Sequence, residues 1–503
     1  MYTNNTYTKN KYKQGGLLSV DDVKNRIVVV GAGLTGMVAA NELKRQIELE
    51  NLPYEVVVLE EKNHIGGHHE TIELDNHYFD ICPSFVMTKN EQFYDFIEKY
   101  KLDDLVEEVL VKAPDLYLYN TFYKIDYPNV FGIPLYAKDI FKLKMLRKGE
   151  KFDAYFKMIF SKKDYEFLPA TYKDLLYEKY GTILVDYILM SQIRQCGIHD
   201  IKRCTSTQIK EVIDECGSRS FPMTKKRFDD KLTINRYVRF SKGIASIINN
   251  LYRNVQEQVF LGQTVKNIEE HDHIIALSLQ KGRNIAAGGV ILAVSPENHP
   301  NLFTHQQTTP IIKNVNFVSM GSVIFKFKKA DVHRMPHSYG FVIPQKSEYF
   351  ITRVMLLNEL NSDLKDAEYI YLNVQFGRQG EDRFTQLNKK VMYEFIYDEI
   401  KTIMDIQGEP LAHEIRIWKS EIPYDCESFH MNMQGFEQEL LDNMENVLIK
   451  GLAYYGGEVI NDIQEGDRLA KQMLYNLKKR DGLLTGKEVL DFPEYGYICR
   501  YMS

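Results

Sequence analysis

Residues 26–44 read RIVVVGAGLTGMVAANELK, and the stretch changes character twice. It opens with four apolar residues, Ile27 to Val30, three of them valines of the β-branched kind that favours strands. It then becomes Gly31-Ala32-Gly33-Leu34-Thr35-Gly36 and ends with Met37, Ala40 and Leu43 at helical spacing. A second apolar run, YEVVVLEE, follows at 54–61. Strand, glycine-rich turn, helix and strand in this order predict a βαβ unit that binds a dinucleotide. Gly31 allows the tight turn, Gly33 lets backbone N–H groups approach a pyrophosphate, and Gly36 lets helix and strand pack closely. Glu60, with Glu61 beside it, ends the second strand within reach of a ribose hydroxyl pair.

Working outward, residues 59–71 read LEEKNHIGGHHET. A second glycine pair, Gly66-Gly67, lies six residues beyond Glu60. An NAD enzyme needs nothing there. In flavoproteins of the amine-oxidase type, a glycine pair in this place lets the chain pass close to FAD, and the stretch resembles theirs. His68 takes the slot usually held by Arg or Lys, near the phosphates or the flavin. His69 reads as a solvated or packed histidine. A metal at this pair is not expected. Adjacent side chains of an extended segment point to opposite faces, and no carboxylate or cysteine cluster joins them at ligand spacing.

The chain has 503 residues, enough for two or three lobes with their own cores. Its 44% hydrophobic and 26% charged residues suit a globular enzyme. A net charge of −6, from 63 basic and 69 acidic residues, argues against nucleic acid as main partner. Six scattered cysteines without a CxxC pair fit a reducing cytoplasm. No apolar run is long enough for a membrane span, which leaves peripheral membrane contact open. Residues 1–24 read as a polar arm and 481–503 as a polar tail. Residues 91–231 read as mainly helical, on segments such as EQFYDFIEKYKLDDLVEEVL and TYKDLLYEKYGTILVDYILMSQI. A strand-rich substrate domain is expected over 301–437. The resemblance to amine-oxidase-type flavoproteins implies a discontinuous FAD-binding domain from 25–90, 232–300 and 438–480. It implies as fold class an α/β Rossmann-type FAD-binding domain with an α+β substrate domain and a helical subdomain.

From about Asn25 to Leu477 the chain resembles the coproporphyrinogen III and protoporphyrinogen oxidases of haem synthesis, the soluble bacterial type above all. ENLPYEVVVLEE, HYFDICPSF, VFGIPLYAKDIF, YVRFSKGIASIINNL, VILAVSP and QGEPLAHEIRIWKSEIP fall in that family's order. GLAYYGGEVINDIQEGDRLAKQML resembles its closing flavin motif. The resemblance implies FAD, with the ADP half held by Gly31 through Gly36 and Glu60, and the backbone of Val265 at the adenine. It places Cys82, Pro83 and Ser84 beside the ring and Trp418 near it. Amides of Glu458, Val459 and Ile460 meet the flavin's pyrimidine edge, where a helix start suits negative charge. Lys89 matches a lysine that faces a substrate propionate. Arg194 matches a family arginine for which a structural ion pair competes with a substrate contact. The implied partners are a small molecule, a tetrapyrrole in this family, and molecular oxygen.

Three departures touch the active face. The family's Gly-Pro becomes Cys82-Pro83, PYDCESFHMN replaces a QY-x-x-G-H pattern, and Glu458 replaces a glycine. They leave four readings open: a porphyrinogen oxidase, an FAD oxidase or desaturase of an amine or natural-product intermediate, a non-redox flavin isomerase, and a flavin-binding partner protein without turnover. The enzyme readings centre on oxidation of a CH–CH or CH–NH bond. Cys82 also raises a covalent or redox role, against the usual state of a small buried thiol.

Overall fold

In the computed structural model, residues 26–60 form the β–α–β unit: β1 (Arg26–Val30), α1 (Leu34–Glu50) and β2 (Glu55–Glu60). The structure describes residues 23–82, 86–87, 91–160, 172–193, 234–280, 282, 284–294, 302–303, 317–364, 368–378, 384, 386–423, 435–436, 438–440, 442–449 and 459–484. β1 is buried along its whole length because it lies inside a parallel sheet covered on both faces. That sheet adds β3 (Val259–Leu261), β4 (Gly289–Leu292) and β5 (Val447–Ile449), in the order β3-β2-β1-β4-β5. All four pairings are parallel. Successive side chains alternate between the faces. Ile27, Val29, Val56 and Val58 meet α1 and the last helix, α2 (Val459–Arg480). Val28, Val30, Val57 and Leu59 meet Val265, Leu277, Phe303 and Phe436 on the other side. α2 lies so close to α1 that a methyl at Gly466 would come within 2.6 Å of the Thr35 carbonyl oxygen.

The strand succession after residue 316 builds a seven-stranded sheet. Its order is Ala412–Pro423, Phe317–Lys328, Tyr369–Phe376, Ile351–Leu356, Gly340–Val342, Asp115–Leu118 and Thr121–Tyr123. The helix Lys389–Met404 covers one face, packing Ile396 and Ile400 on Val323, Phe325 and Phe327. The other face sets Ile324, Met355 and Tyr371 against Phe79 and Ile81, in the segment that follows the β–α–β unit.

One sequence expectation needs correction. The helix expected through residue 110 ends at Tyr100. Lys101 turns left-handed at φ 55°, and a short 3-10 turn leads into a strand, Val106–Lys112. Val106, Val109 and Val111 are β-branched, and the strand pairs antiparallel with Ile234–Phe240. Two further strands of the span read as helical, Asp115–Leu118 and Thr121–Tyr123, join the seven-stranded sheet. The later pattern is helical as expected: Tyr172–Ile183 continues through a π turn, Leu184–Leu189, into Met190–Ile193.

Candidate functional site

The glycine-rich loop is held from below by backbone. Gly31 sits at φ +106° and donates its N–H to the Leu59 carbonyl at 2.8 Å. A methyl there would approach the Ala293 carbonyl oxygen at 2.6 Å, and one at Gly36 would land on the carbonyl oxygen of Gly31. Gly33 differs: a methyl would meet nothing closer than Gly67 Cα at 3.7 Å, so its open side faces the cleft. Gly33 is also the N-cap of α1, with no side-chain cap and no acidic residue in the first turn. First-turn amides have no carbonyl partner within a helix, and the helix dipole makes that end electropositive. The arrangement is ready for an anion.

The second glycine pair docks on the first. Gly66 donates its N–H to the Ala32 carbonyl at 3.0 Å, and Gly33 and Gly66 form a parallel β-bridge. Gly66 and Gly67 take φ +122° and +63°. The glycines therefore let two backbone turns meet edge to edge beside the cleft. Glu60 fixes the floor. It is 6% exposed, and its two oxygens accept the amides of Ala32 at 2.7 Å and Lys62 at 2.9 Å.

These turns open onto a cavity of about 410 Å³, bordered by Gly33, Glu60, His68, His69, Val265 and Asp462. Gly31, Leu34, Thr35, Glu61, Gly66 and Gly67 also reach it. His68 is exposed, whereas the His69 side chain is only 9% exposed. His69 Nε2 lies 2.9 Å from Asp462 Oδ2, and Thr35 Oγ1 donates to Asp462 Oδ1 at 2.7 Å. One carboxylate in the first turn of α2 thus ties the start of α1 to the second glycine turn. Glu70, the next residue, is gripped by the Arg416 guanidinium, which holds its carboxyl below the usual carboxylate range.

Below this lie Asp80 and Cys82. Burial pushes the Asp80 carboxyl up to about 6, against the opposing bonds from Thr71 Oγ1 at 2.6 Å and the Ile244 amide at 2.9 Å. Burial first, then Asp80 and Asp462, push the Cys82 thiol up to about 11. A thiol so disposed stays protonated at neutral pH and is a poor nucleophile, which disfavours a covalent flavin bond. Asn373 of the seven-stranded sheet donates to the Ile81 carbonyl at 2.9 Å, so that sheet and this segment are fastened together.

The structure brings most of the sequence-predicted residues to one place. Ala32 and Gly36 lie under the cleft as loop backbone. Val459 and Ile460 open α2, with their side chains turned into the core shared with β1 and α1. Trp418 is half-buried against the cluster that holds Phe79, Ile81 and Tyr371 and does not itself border the cavity. Pro83, Ser84, Lys89, Arg194 and Glu458 lie outside the described residues. Among the described residues, no group of three or more His, Cys, Asp or Glu side chains could hold a metal ion. Sequence reasoning missed the His69–Asp462 pair. Its one sequence signal is a second histidine directly after the glycine pair.

The site fits an FAD on its own geometry: a buried carboxylate at the end of β2, an uncapped helix start, and a glycine whose Cβ position opens into the cleft. A family model described as flavin containing amine oxidoreductase matches residues 34–474. The coproporphyrinogen III oxidase of Bacillus subtilis (strain 168) is 19% identical over 461 residues, which cover 89% of this chain and 97% of that protein. A crystal structure from Exiguobacterium sp. 255-15, described provisionally as a protoporphyrinogen oxidase, aligns with a TM-score of 0.77 at 19% identity. It covers 92% of this chain and 100% of that one. Reduced UDP-galactopyranose mutase aligns with a TM-score of 0.64 at 13% identity, over 92% of this chain and 96% of its own. At these identities the structural likenesses show the fold.

Proposed function

Since the chain belongs to the flavin-containing amine oxidoreductases and its cofactor is FAD, we propose that it oxidises a tetrapyrrole intermediate of the porphyrinogen type, with oxygen as the final electron acceptor. The observation that carries the redox part is the cleft of Gly33, Glu60 and the start of α1. The substrate class is supported by the likeness to the Bacillus subtilis coproporphyrinogen III oxidase, which runs through nine-tenths of the chain. When bound, FAD accepts a hydride at its N5 from a substrate C–H bond and passes the electrons on to oxygen.

The chain's own residues bind and orient. In this reading, segments 25–90, 232–300 and 438–480 form the FAD-binding unit and 301–437 the substrate domain. Glu60 accepts from the ribose hydroxyls while it holds the Ala32 amide. The first-turn amides of α1 face the pyrophosphate. The Val265 backbone meets the adenine, and the amides that open α2 at Val459 and Ile460 meet the pyrimidine edge of the flavin. Lys89 orients a substrate carboxylate. The work takes place in the cytoplasm, and no described helix is long and apolar enough to cross a membrane.

Cys82 favours a second reading, in which the same redox chemistry acts on an amine or a natural-product intermediate. Where the related oxidases have glycine, a protonated thiol adds bulk beside the ring. The test is aerobic incubation with coproporphyrinogen, protoporphyrinogen and simple amines, following porphyrin fluorescence and peroxide. Fluorescence supports the first reading. Peroxide with amines alone selects the second. Bound flavin without turnover of any of them contradicts both.

A further inference from the structure

His69 is built for a contact that the described residues do not provide. Its side chain is nine-tenths buried, yet its Nδ1 is enclosed without a hydrogen-bond partner among the described residues. Buried polar atoms in folded proteins are nearly always paired, so an orphan at the border of a binding cleft marks the place of a missing partner. The other nitrogen is committed: Nε2 faces Asp462 Oδ2 at 2.9 Å. A carboxylate can only accept, so Nε2 carries the proton and the ring cannot turn without breaking that bond. Asp462 is fixed in turn by the Thr35 hydroxyl at 2.7 Å. Gly67 brings the chain past Gly33 just before His69, and His69, Thr35 and Asp462 all border the same cavity.

We propose that His69, oriented by Asp462, contacts FAD through Nδ1, at the polar diphosphate–ribityl linker between the adenylate and flavin halves. The inference rests on FAD occupying this cleft. It assigns to His69 the anchoring role that the position of His68 suggests from sequence. The position follows from the neighbours. Glu60 and Val265 mark the adenosine end of the cavity, and the start of α1 marks the phosphates. His69 stands with Thr35 and Asp462, and Asp462 is close enough to Cys82 to act on its thiol. His69 is the contact residue and Asp462 the positioning residue, since Asp462 acts by holding the ring.

The test compares wild type with His69→Leu, His69→Gln and Asp462→Asn, all stripped of flavin. Calorimetric titration with FAD, ADP and AMP reads affinity directly, without turnover. His69→Leu is expected to weaken FAD roughly tenfold to a hundredfold and to leave AMP unchanged. His69→Gln, which keeps a polar atom, is expected to recover part of the loss. A loss for FAD alone puts the contact on the ribityl chain, whose hydroxyls donate to the Nδ1 lone pair, and a loss for ADP as well puts it on the diphosphate, whose oxygens only accept, so that there both ring nitrogens carry protons. If His69→Leu does not fold, imidazole NMR of the wild type still decides. The Nδ1 resonance of His69 is expected to shift on adding FAD and not on adding AMP. Unchanged FAD affinity in a folded His69→Leu, or an Nδ1 resonance indifferent to FAD, overturns the proposal. Wild type that fails to take up FAD at all would instead overturn the reading of the site as an FAD cleft.

Discussion

Replacing Glu60 with Ala is expected to loosen the glycine-rich loop before any cofactor is present. The Glu60 carboxylate accepts the Ala32 amide at 2.7 Å and the Lys62 amide at 2.9 Å. Ala32 is fully buried and Glu60 is 6% exposed, so removing the carboxylate strands a donor that water cannot reach. A hydrogen bond to a charged acceptor is worth about 1.5–3 kcal/mol. Lys62 is exposed, and its amide can turn to water at a cost of roughly 0–1 kcal/mol. The loss at the Ala32 amide is therefore about 1.5–3 kcal/mol, and its protection against hydrogen exchange is expected to fall roughly 10- to 150-fold. The assay is exchange on flavin-free protein, where a ribose contact can contribute nothing. Glu60→Gln should fall between, because its amide oxygen can replace one acceptor while its N–H groups face a donor. If Glu60→Ala weakens FAD binding but leaves the Ala32 amide as protected as before, Glu60 acts on the ligand alone and the reasoning fails.

Gly33→Val should give folded protein without flavin, because the side chain enters open cleft, whereas Gly36→Ala should not fold, because its methyl meets the Gly31 carbonyl. Absorbance of purified protein and circular dichroism check both. Asp80 titrates near 6 in the folded chain against about 3.9 unfolded. The native state therefore holds its proton more tightly, and this contribution is fully present below about pH 4 and lost as the pH rises through about 6. Asp80→Asn should flatten that fall, on the order of 2–3 kcal/mol, in urea titrations across the window. Lys89→Ala should raise KM for a tetrapyrrole more than it lowers kcat, since an anchoring contact is made equally in ground and transition states. Steady-state kinetics on the porphyrinogen reads this, and an unchanged KM would remove the anchoring role.

What the sequence disclosed was local. The βαβ unit at 26–60 was legible because propensity, glycine chemistry and helical spacing change within a few residues of one another. The strands after residue 316 were legible for the same reason, as short runs bounded by turn residues. The strand Val106–Lys112 was not, because its two glutamates and Leu110 also fit a helix and its partner, Ile234–Phe240, lies far along the chain. The same distance hid the His69–Asp462 pair, whose members are 393 residues apart. His68 attracted attention by its place in a motif, yet it is His69 that folding buries and ties down. Glu60 drew attention from its place at the end of β2, while its grip on the Ala32 amide depends on how the turn closes over β2.

Anaerobic mixing of the purified protein with coproporphyrinogen, followed through the flavin's visible absorbance, tests the central claim most directly. The flavin is expected to bleach as porphyrin absorbance grows, with about three flavins reduced for each porphyrin formed because each flavin takes two of the six electrons a porphyrinogen loses, and admitting oxygen is expected to restore the yellow colour. A flavin that stays oxidised in the presence of the porphyrinogen, while an amine bleaches it, would contradict the account.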